Sequence, residues 1–309
     1  MVRKVIILGS GPAGYTAALY TARAKLNPLL LSGDEPGGQL MLTGEVENYP
    51  GFSKGIHGPE LIETMWQQAE RFGAEIRYEK ATAVEFKGNP LRVKVEEAVY
   101  EAEAVIVATG ASARWLGLES EARFRGRGVS ACATCDGPLF KNLDVVVVGG
   151  GDTAVDDALF LTKFTDNVTI VHRRDQFRAS RILQERLFRN NKIQIRWNTI
   201  VTEIVGQTTV QGVVLQDVKT GKKSQLKCSG VFVAIGHIPN TEIFKGKLEM
   251  DERGYLVTKR RTETNVEGVF AAGDVQDHLY RQAVVAAGSG CMAALDVERY
   301  LQSKMDPIS

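Results

Sequence analysis

Residues 2–8, VRKVIIL, form a short apolar run rich in β-branched positions that ends at a glycine. Behind the glycines, residues 15–26 (YTAALYTARAKL) place small and apolar side chains at helical spacing. The pattern predicts a strand, a glycine turn and a helix, which is how a βαβ unit begins. A second apolar run, PLLLS (28–32), predicts the next strand. Residues 58–73, GPELIETMWQQAERFG, read as an amphipathic helix burying Leu61, Ile62, Met65, Trp66 and Phe72. From 75 to 104 the short runs EIRY, ATAVEF and LRVKV predict an inserted antiparallel meander. VIVATG (105–110) is then a buried strand closed by a glycine.

The pattern starts again past a linker predicted near Ala113 to Trp115. DVVVVGGGDTAVDDALFL (144–161) repeats strand, glycine turn and helix, and VFVAIG (231–236) echoes VIVATG. Gly9 to Gly149 spans 140 residues and Val105 to Val231 spans 126, an internal duplication. A return linker is read in GHIPNT (236–241), and residues 266–301 then predict a strand, an Asp-bearing turn and a final helix. The fold class expected is α/β, with two Rossmann-like dinucleotide-binding domains of the three-layer ββα type, one inserted in the other. The expected boundaries are 1–114 with 242–309 for the outer domain and 115–241 for the inner one.

Composition narrows the function. A chain of 309 residues suits two domains. A net charge of +1 argues against a nucleic-acid partner. No apolar run approaches membrane-spanning length, and the first apolar run is too short for a secretory signal. Four cysteines without framework spacing fit a reducing cytoplasm. The chain is expected to be cytoplasmic, with no membrane and no metal.

Two glycine loops and one cysteine pair carry the chemistry. In GSGPAG (9–14), Gly9 allows the tight turn, Gly11 lets the backbone approach a pyrophosphate, and Gly14 lets helix and strand pack closely. Ser32 ends the second strand where an acid normally holds ribose, with Asp34 and Glu35 just beyond. Gln39 and Asn48 lie in loop-like PGGQL and VENYPGF; they are candidates to face a ring system, and such residues are as common in ordinary turns. His57 is read as a turn residue. In the repeat, Gly149, Gly151, Asp152, Thr153 and Ala154 form the second loop. Its second strand, NVTIVH, runs into Arg173 and Arg174, with Arg178 and Arg181 following, basic residues placed to hold a 2′-phosphate; Arg181 suits plain surface equally. Charge-assisted hydrogen bonds contribute about 1.5–3 kcal/mol each, so two such arginines give NADPH a preference of about a hundredfold or more. Asp274, at a strand end before a helix, is placed to accept from a hydroxyl of the first domain's ligand.

Between the two loops stands SACATCDG (130–137). Cys132 and Cys135 can close a disulfide that opens to a dithiol on taking up two electrons, and a helix start there favours a thiolate. Asp136 is placed to give or take the proton of that exchange. A zinc half-site would need four ligands, and Cys228 and Cys291 are single and distant. Cys291 is expected to be buried on its small-residue helix.

The order of GSGPAG, PGGQL, ACATCDG, GGGDTAVDDAL, HRRDQFRA and GVFAAGDV…YRQA resembles the low-molecular-weight, bacterial-type thioredoxin reductases over nearly the whole chain. The resemblance implies FAD in the outer domain, held at Gly9 to Gly14 (with Pro12 and Ala13), Ser32, Gly38, Gln39, Asn48, Gly273, Asp274, Arg281, Gln282 and Ala283. It implies NADPH on the Gly149 loop and on His172, Arg173, Arg174 and Arg178. It also implies a Cys132–Cys135 disulfide that reduces thioredoxin, Asp136 as acid–base, a homodimer, and a rotating inner domain with hinges near residues 113 and 240. Arg127 matches a basic docking position, whereas Pro138 and Leu139 stand where the family often has two aromatics. The alternatives are reduction of another small redox protein and a ferredoxin–NADP reductase-like activity; the cysteine pair counts against the second.

Overall fold

The computed structural model describes residues 2–305. Met1 and residues 306–309 of the expected outer domain lie outside the described residues. The chain divides into two compact units, Met1–Ser112 with Ile238–Ser309, and Ala113–His237.

Unit 1 is built on a seven-stranded sheet. Its order is Glu75–Arg77, Leu29–Leu31, Arg3–Leu8, Ala98–Val107, Leu91–Val95 and Ala83–Glu85, with Val269–Ala271 also paired to Ala98–Val107. Val5 and Ile7 point into one core and Ile6 and Leu8 into the other, as period-two alternation requires of a strand covered on both sides. The first core is roofed by the helices Pro12–Arg23, Gly58–Arg71 and Ala283–Met305, the second by the antiparallel strands. Leu61 and Ile62 are buried as expected, with Met65, Trp66 and Phe72 packed at the core edge.

Two expectations change. EIRY does not belong to the meander: Glu75–Arg77 pairs parallel to Leu29–Leu31, as an outer strand of the main sheet. VIVATG is not a separate strand either. Residues 98–107 form one strand that is antiparallel to Leu91–Val95 through its first half and parallel to Arg3–Leu8 through its second. Its first half is partly exposed and its second wholly buried, so the two halves carry different patterns.

Unit 2 repeats this layout on a five-stranded parallel sheet in the order Val129–Ser130, Gly230–Ala234, Val145–Gly149, Val168–Val171, Ile193–Arg196. An antiparallel layer, Thr199–Gly206, Val210–Asp217 and Lys223–Lys227, covers one face. The sequence pattern did not reveal that second meander. No helix among the described residues is long and apolar enough to cross a membrane.

The last helix packs on the first through small residues, and Gly290 is the tightest point: a Cβ there would lie 2.1 Å from the Ala13 carbonyl oxygen. Gly290→Ala is expected to destabilise unit 1 by about 1–3 kcal/mol through overpacking, outweighing a helix-propensity gain of about 0.5–1 kcal/mol. A calorimetric scan with an unchanged melting temperature would contradict this.

Candidate active site

Each unit presents a helix N-terminus stripped of side chains. In unit 1, Gly11 is the N-cap of Pro12–Arg23 and supplies no side-chain cap. Gly9 has φ +107°, and a Cβ on it would stand 2.3 Å from the Ala108 carbonyl oxygen. On Gly14 a Cβ would meet the Gly9 carbonyl at 1.9 Å, whereas nothing lies within 4 Å of one on Gly11. The first two glycine sites are thus forced by contact, and the third leaves open space before the orphan amides, which suits a diphosphate.

The other unit 1 candidates gather around this turn. Ser10 Oγ donates to the Ser32 carbonyl at 3.1 Å and accepts from the Gly37 amide at 2.9 Å, which draws the PGGQL loop in. A Cβ on Gly38 would lie 3.7 Å from Gly11 Cα. On the other side a Cβ on Gly273 would lie 2.9 Å from Ala13 Cβ, and the Gly273 amide donates to Ser289 Oγ at 2.8 Å. Asn48 Nδ2 donates to Gln282 Oε1 at 3.3 Å, joining two candidates 234 residues apart. Ala283 opens the last helix, with Arg281 just before it in a positive-φ conformation. Gln39 lies exposed on the short turn Gly38–Leu42, and Asp34 is engaged by Lys80. Burial, with Asp277 nearby, pushes the Asp274 carboxyl up to about 7, and Arg281 pulls it back in part. A buried carboxyl of this kind gains from a neutral hydroxyl donor such as a sugar-alcohol chain offers.

Unit 2 reproduces the turn. Gly151 caps Asp152–Leu161 without a side chain, and nothing lies within 4 Å of a Cβ on it. A Cβ on Gly149 would meet the Ala234 carbonyl at 2.3 Å and Ala154 Cβ at 2.7 Å. Thr153 is half-buried and Ala154 fully buried. Asp152 Oδ1 accepts from the Ser180 amide at 2.8 Å, so its carboxylate fastens the following segment. Arg173, Arg174 and Arg178 are exposed, whereas the His172 ring is buried. Gly150, which the sequence pattern passes over, is held to glycine by contact: a Cβ on it would fall 2.2 Å from the His172 ring.

The cysteine pair also belongs to unit 2. Cys132 and Cys135 are joined, with Sγ to Sγ at 2.10 Å. Cys132 is the N-cap of the short helix Ala133–Asp136, and its sulfur accepts from the Cys135 amide at 3.2 Å. Thr134 Oγ1 lies 3.3 Å from the same sulfur, and the Cys132 amide donates to Ser130 Oγ at 3.0 Å. Burial raises the Asp136 carboxyl above its ordinary range, offset in part by a hydrogen bond from Ser130. A carboxyl held nearer neutrality beside a sulfur pair can pass protons in either direction. Pro138 and Leu139 are exposed just beyond.

The remaining cysteines stand apart. Burial pushes the Cys228 thiol up to about 12. Cys291 is half-buried rather than buried, on the face of its helix that meets Tyr20, with which it is hydrogen-bonded. His57 is exposed where a two-residue strand enters the helix Gly58–Arg71. No cluster of three or more His, Cys, Asp or Glu among the described residues could hold a metal.

Comparison with known proteins agrees with this chemistry. The family model described as pyridine nucleotide-disulphide oxidoreductase matches residues 3–290. The thioredoxin reductase of Rickettsia conorii is 56% identical over 303 residues, covering 96% of this chain and 98% of its own. That of Mycolicibacterium smegmatis is 54% identical over 301 residues, covering 97% of each. The crystal structure of thioredoxin reductase from Streptococcus pyogenes superposes with a TM-score of 0.94 at 43% identity, over 98% of this chain and 99% of that one. The chain belongs to the pyridine nucleotide-disulphide oxidoreductase family, within its thioredoxin reductase branch.

Proposed function

We propose that the protein is an FAD-dependent, cytoplasmic enzyme that uses NADPH to reduce the disulfide of thioredoxin. The observation that carries this reading is a Cys132–Cys135 disulfide, at a helix start beside Asp136, in a unit that also bears an arginine-flanked glycine turn. Unit 1 would hold FAD: its diphosphate at the amides after Gly11, its sugar chain near Asp274, its ring near Asn48 and Gln282. Unit 2 would hold NADPH, with the diphosphate on the turn at Gly149 to Gly151 and the 2′-phosphate on Arg173, Arg174 and Arg178. Bound FAD supplies a two-electron relay between NADPH and the disulfide.

The chain's own residues do the rest. When the Cys132–Cys135 bond takes up an electron pair it breaks, and the amide of Cys135 favours negative charge on the Cys132 sulfur. One thiolate of the pair attacks a thioredoxin sulfur, forming a mixed disulfide and expelling the other thioredoxin sulfur as thiolate. The second cysteine then breaks the mixed bond, re-forming Cys132–Cys135 and leaving a reduced dithiol on thioredoxin. NADPH supplies the electron pair and one proton equivalent, solvent supplies the second, and Asp136 moves protons at the sulfurs. A partner near −270 mV requires a donor pair of similar or lower potential, since one at about −120 mV would leave transfer uphill by about 7 kcal/mol.

The last helix supports a homodimer. Val285, Met292 and Leu295 are exposed at near-heptad spacing around Gly288. Joint substitution Met292→Asp and Leu295→Asp is expected to convert dimer to monomer in sedimentation equilibrium with circular dichroism unchanged; a dimer that persists would move the interface elsewhere.

Anaerobic NADPH titration of the wild type should consume about four electrons per subunit, two beyond the flavin, and thioredoxin should reoxidise it. Cys135→Ser should accept only the flavin's pair and leave thioredoxin unreduced. Uptake of only two electrons by the wild type would make the cysteines bystanders.

Asp274 gives a pH test. Below pH 3.8 its carboxyl is protonated in the folded and unfolded chains alike; from there to about 7 only the folded chain keeps the proton. Stability of the flavin-free protein should therefore fall as pH rises through that window. Asp274→Asn should flatten the profile and lower FAD retention, and an unaltered pH–stability curve would refute the assignment.

A further inference from the structure

The His172 imidazole, which the resemblance counts with the NADPH residues, is buried, unlike the arginines that follow it. The offset of 140 residues that relates Gly9 to Gly149 also relates Ser10 to Gly150 and Ser32 to His172. In unit 1 this pair of positions is a clasp: Ser10 Oγ donates to the Ser32 carbonyl and accepts from the Gly37 amide, so one hydroxyl ties the glycine turn to the segment after the second strand.

Unit 2 keeps the positions and exchanges the side chains. Gly150 has none, and the His172 ring fills that space, 2.2 Å from where a Cβ would stand. Its Nε2 lies 3.0 Å from the Gln176 carbonyl oxygen, which accepts from the protonated nitrogen, and the ring also hydrogen-bonds the Gly149 backbone. Phe177 and Trp197 close over the ring, with centroids 5.5 and 6.1 Å away. The backbone then returns to the turn, as the Arg178 amide donates to the Gly150 carbonyl at 2.8 Å. Ser180 completes the fastening on Asp152.

The segment so held is 173–178, and it carries Arg173, Arg174 and Arg178, all exposed. Three cations on six residues repel one another, with Asp175 among them turned to Lys219, and long side chains cost entropy to order. They can converge on one dianion only if their backbone is already fixed relative to the turn that holds the rest of the nucleotide. The His172 ring touches the glycine turn at Gly150 and the middle of the arginine segment at Gln176, while the Arg178 amide ties the end of that segment to the same turn.

We propose that His172 is a positioning residue that sets the preference for a 2′-phosphorylated nucleotide. It is not a phosphate ligand. It brackets the arginine segment to the glycine turn, so its loss blurs the 2′-phosphate site while sparing the site for the remainder of the nucleotide. This rests on the reading that unit 2 binds NADPH.

The test is calorimetric titration of the full-length holoenzyme with 2′,5′-ADP and with 5′-AMP, which differ only in the 2′-phosphate. Wild type should favour 2′,5′-ADP strongly. In His172→Ala the affinity for 2′,5′-ADP should fall about tenfold and that for 5′-AMP should stay within about twofold. His172→Gln, which keeps an N–H donor, should recover part of the preference. His172→Phe, which keeps ring volume without nitrogen, reads the same ratio if the alanine variant fails to fold. A ratio unchanged in the variants, or equal weakening of both ligands alongside a lower melting temperature, overturns the positioning role and leaves a structural one. A wild type indifferent to the 2′-phosphate overturns the NADPH assignment, and the bracket with it.

Discussion

In both units, the backbone of a glycine turn must touch the carbonyl of a neighbouring strand. Gly9 meets Ala108 and Gly149 meets Ala234, each with 2.3 Å between that carbonyl oxygen and where a Cβ would be. No side chain can enter that space, so the helix that follows begins flush against the sheet edge. Its first amides have no internal partner and no side-chain cap. The contact that seats the helix therefore also leaves uncapped backbone donors that suit an anion, and the unit 1 candidates Gly38, Gly273 and Ala283 gather around that turn.

Around this shared frame the two halves of the duplication have diverged. Unit 1 closes its turn with a hydroxyl clasp, Ser10 to Ser32 and Gly37, and brings the last helix down through Gly273 and Gly290 onto Ala13. That packing sets Asp274 and Gln282 beside the turn. Unit 2 uses an imidazole for the same join and lets the following segment present arginines instead. Ser10 and Ser32 of unit 1 thus answer to Gly150 and His172 of unit 2, and on the proposed reading these two exchanges accompany a ligand that carries an added 2′-phosphate. The cysteine pair is a separate and more local device: a few residues supply a helix start, an amide on sulfur and a carboxyl raised by burial.

What the sequence determined by itself is what depends on neighbours along the chain. The runs at 3–8 and 145–149, the helix at 58–71, both glycine turns and the cysteine pair were readable because periodicity and turn chemistry act over a few residues. Only the tertiary structure decided the rest. Residues 98–107 change pairing partners midway, Glu75–Arg77 joins the parallel sheet, and 199–227 fold as a second meander, because strand pairing is settled by distant segments. Asn48 meets Gln282, and His172 meets Gly150, for the same reason. Such contacts form between surfaces that exist only once the sheet has assembled, and local pattern carries no record of them.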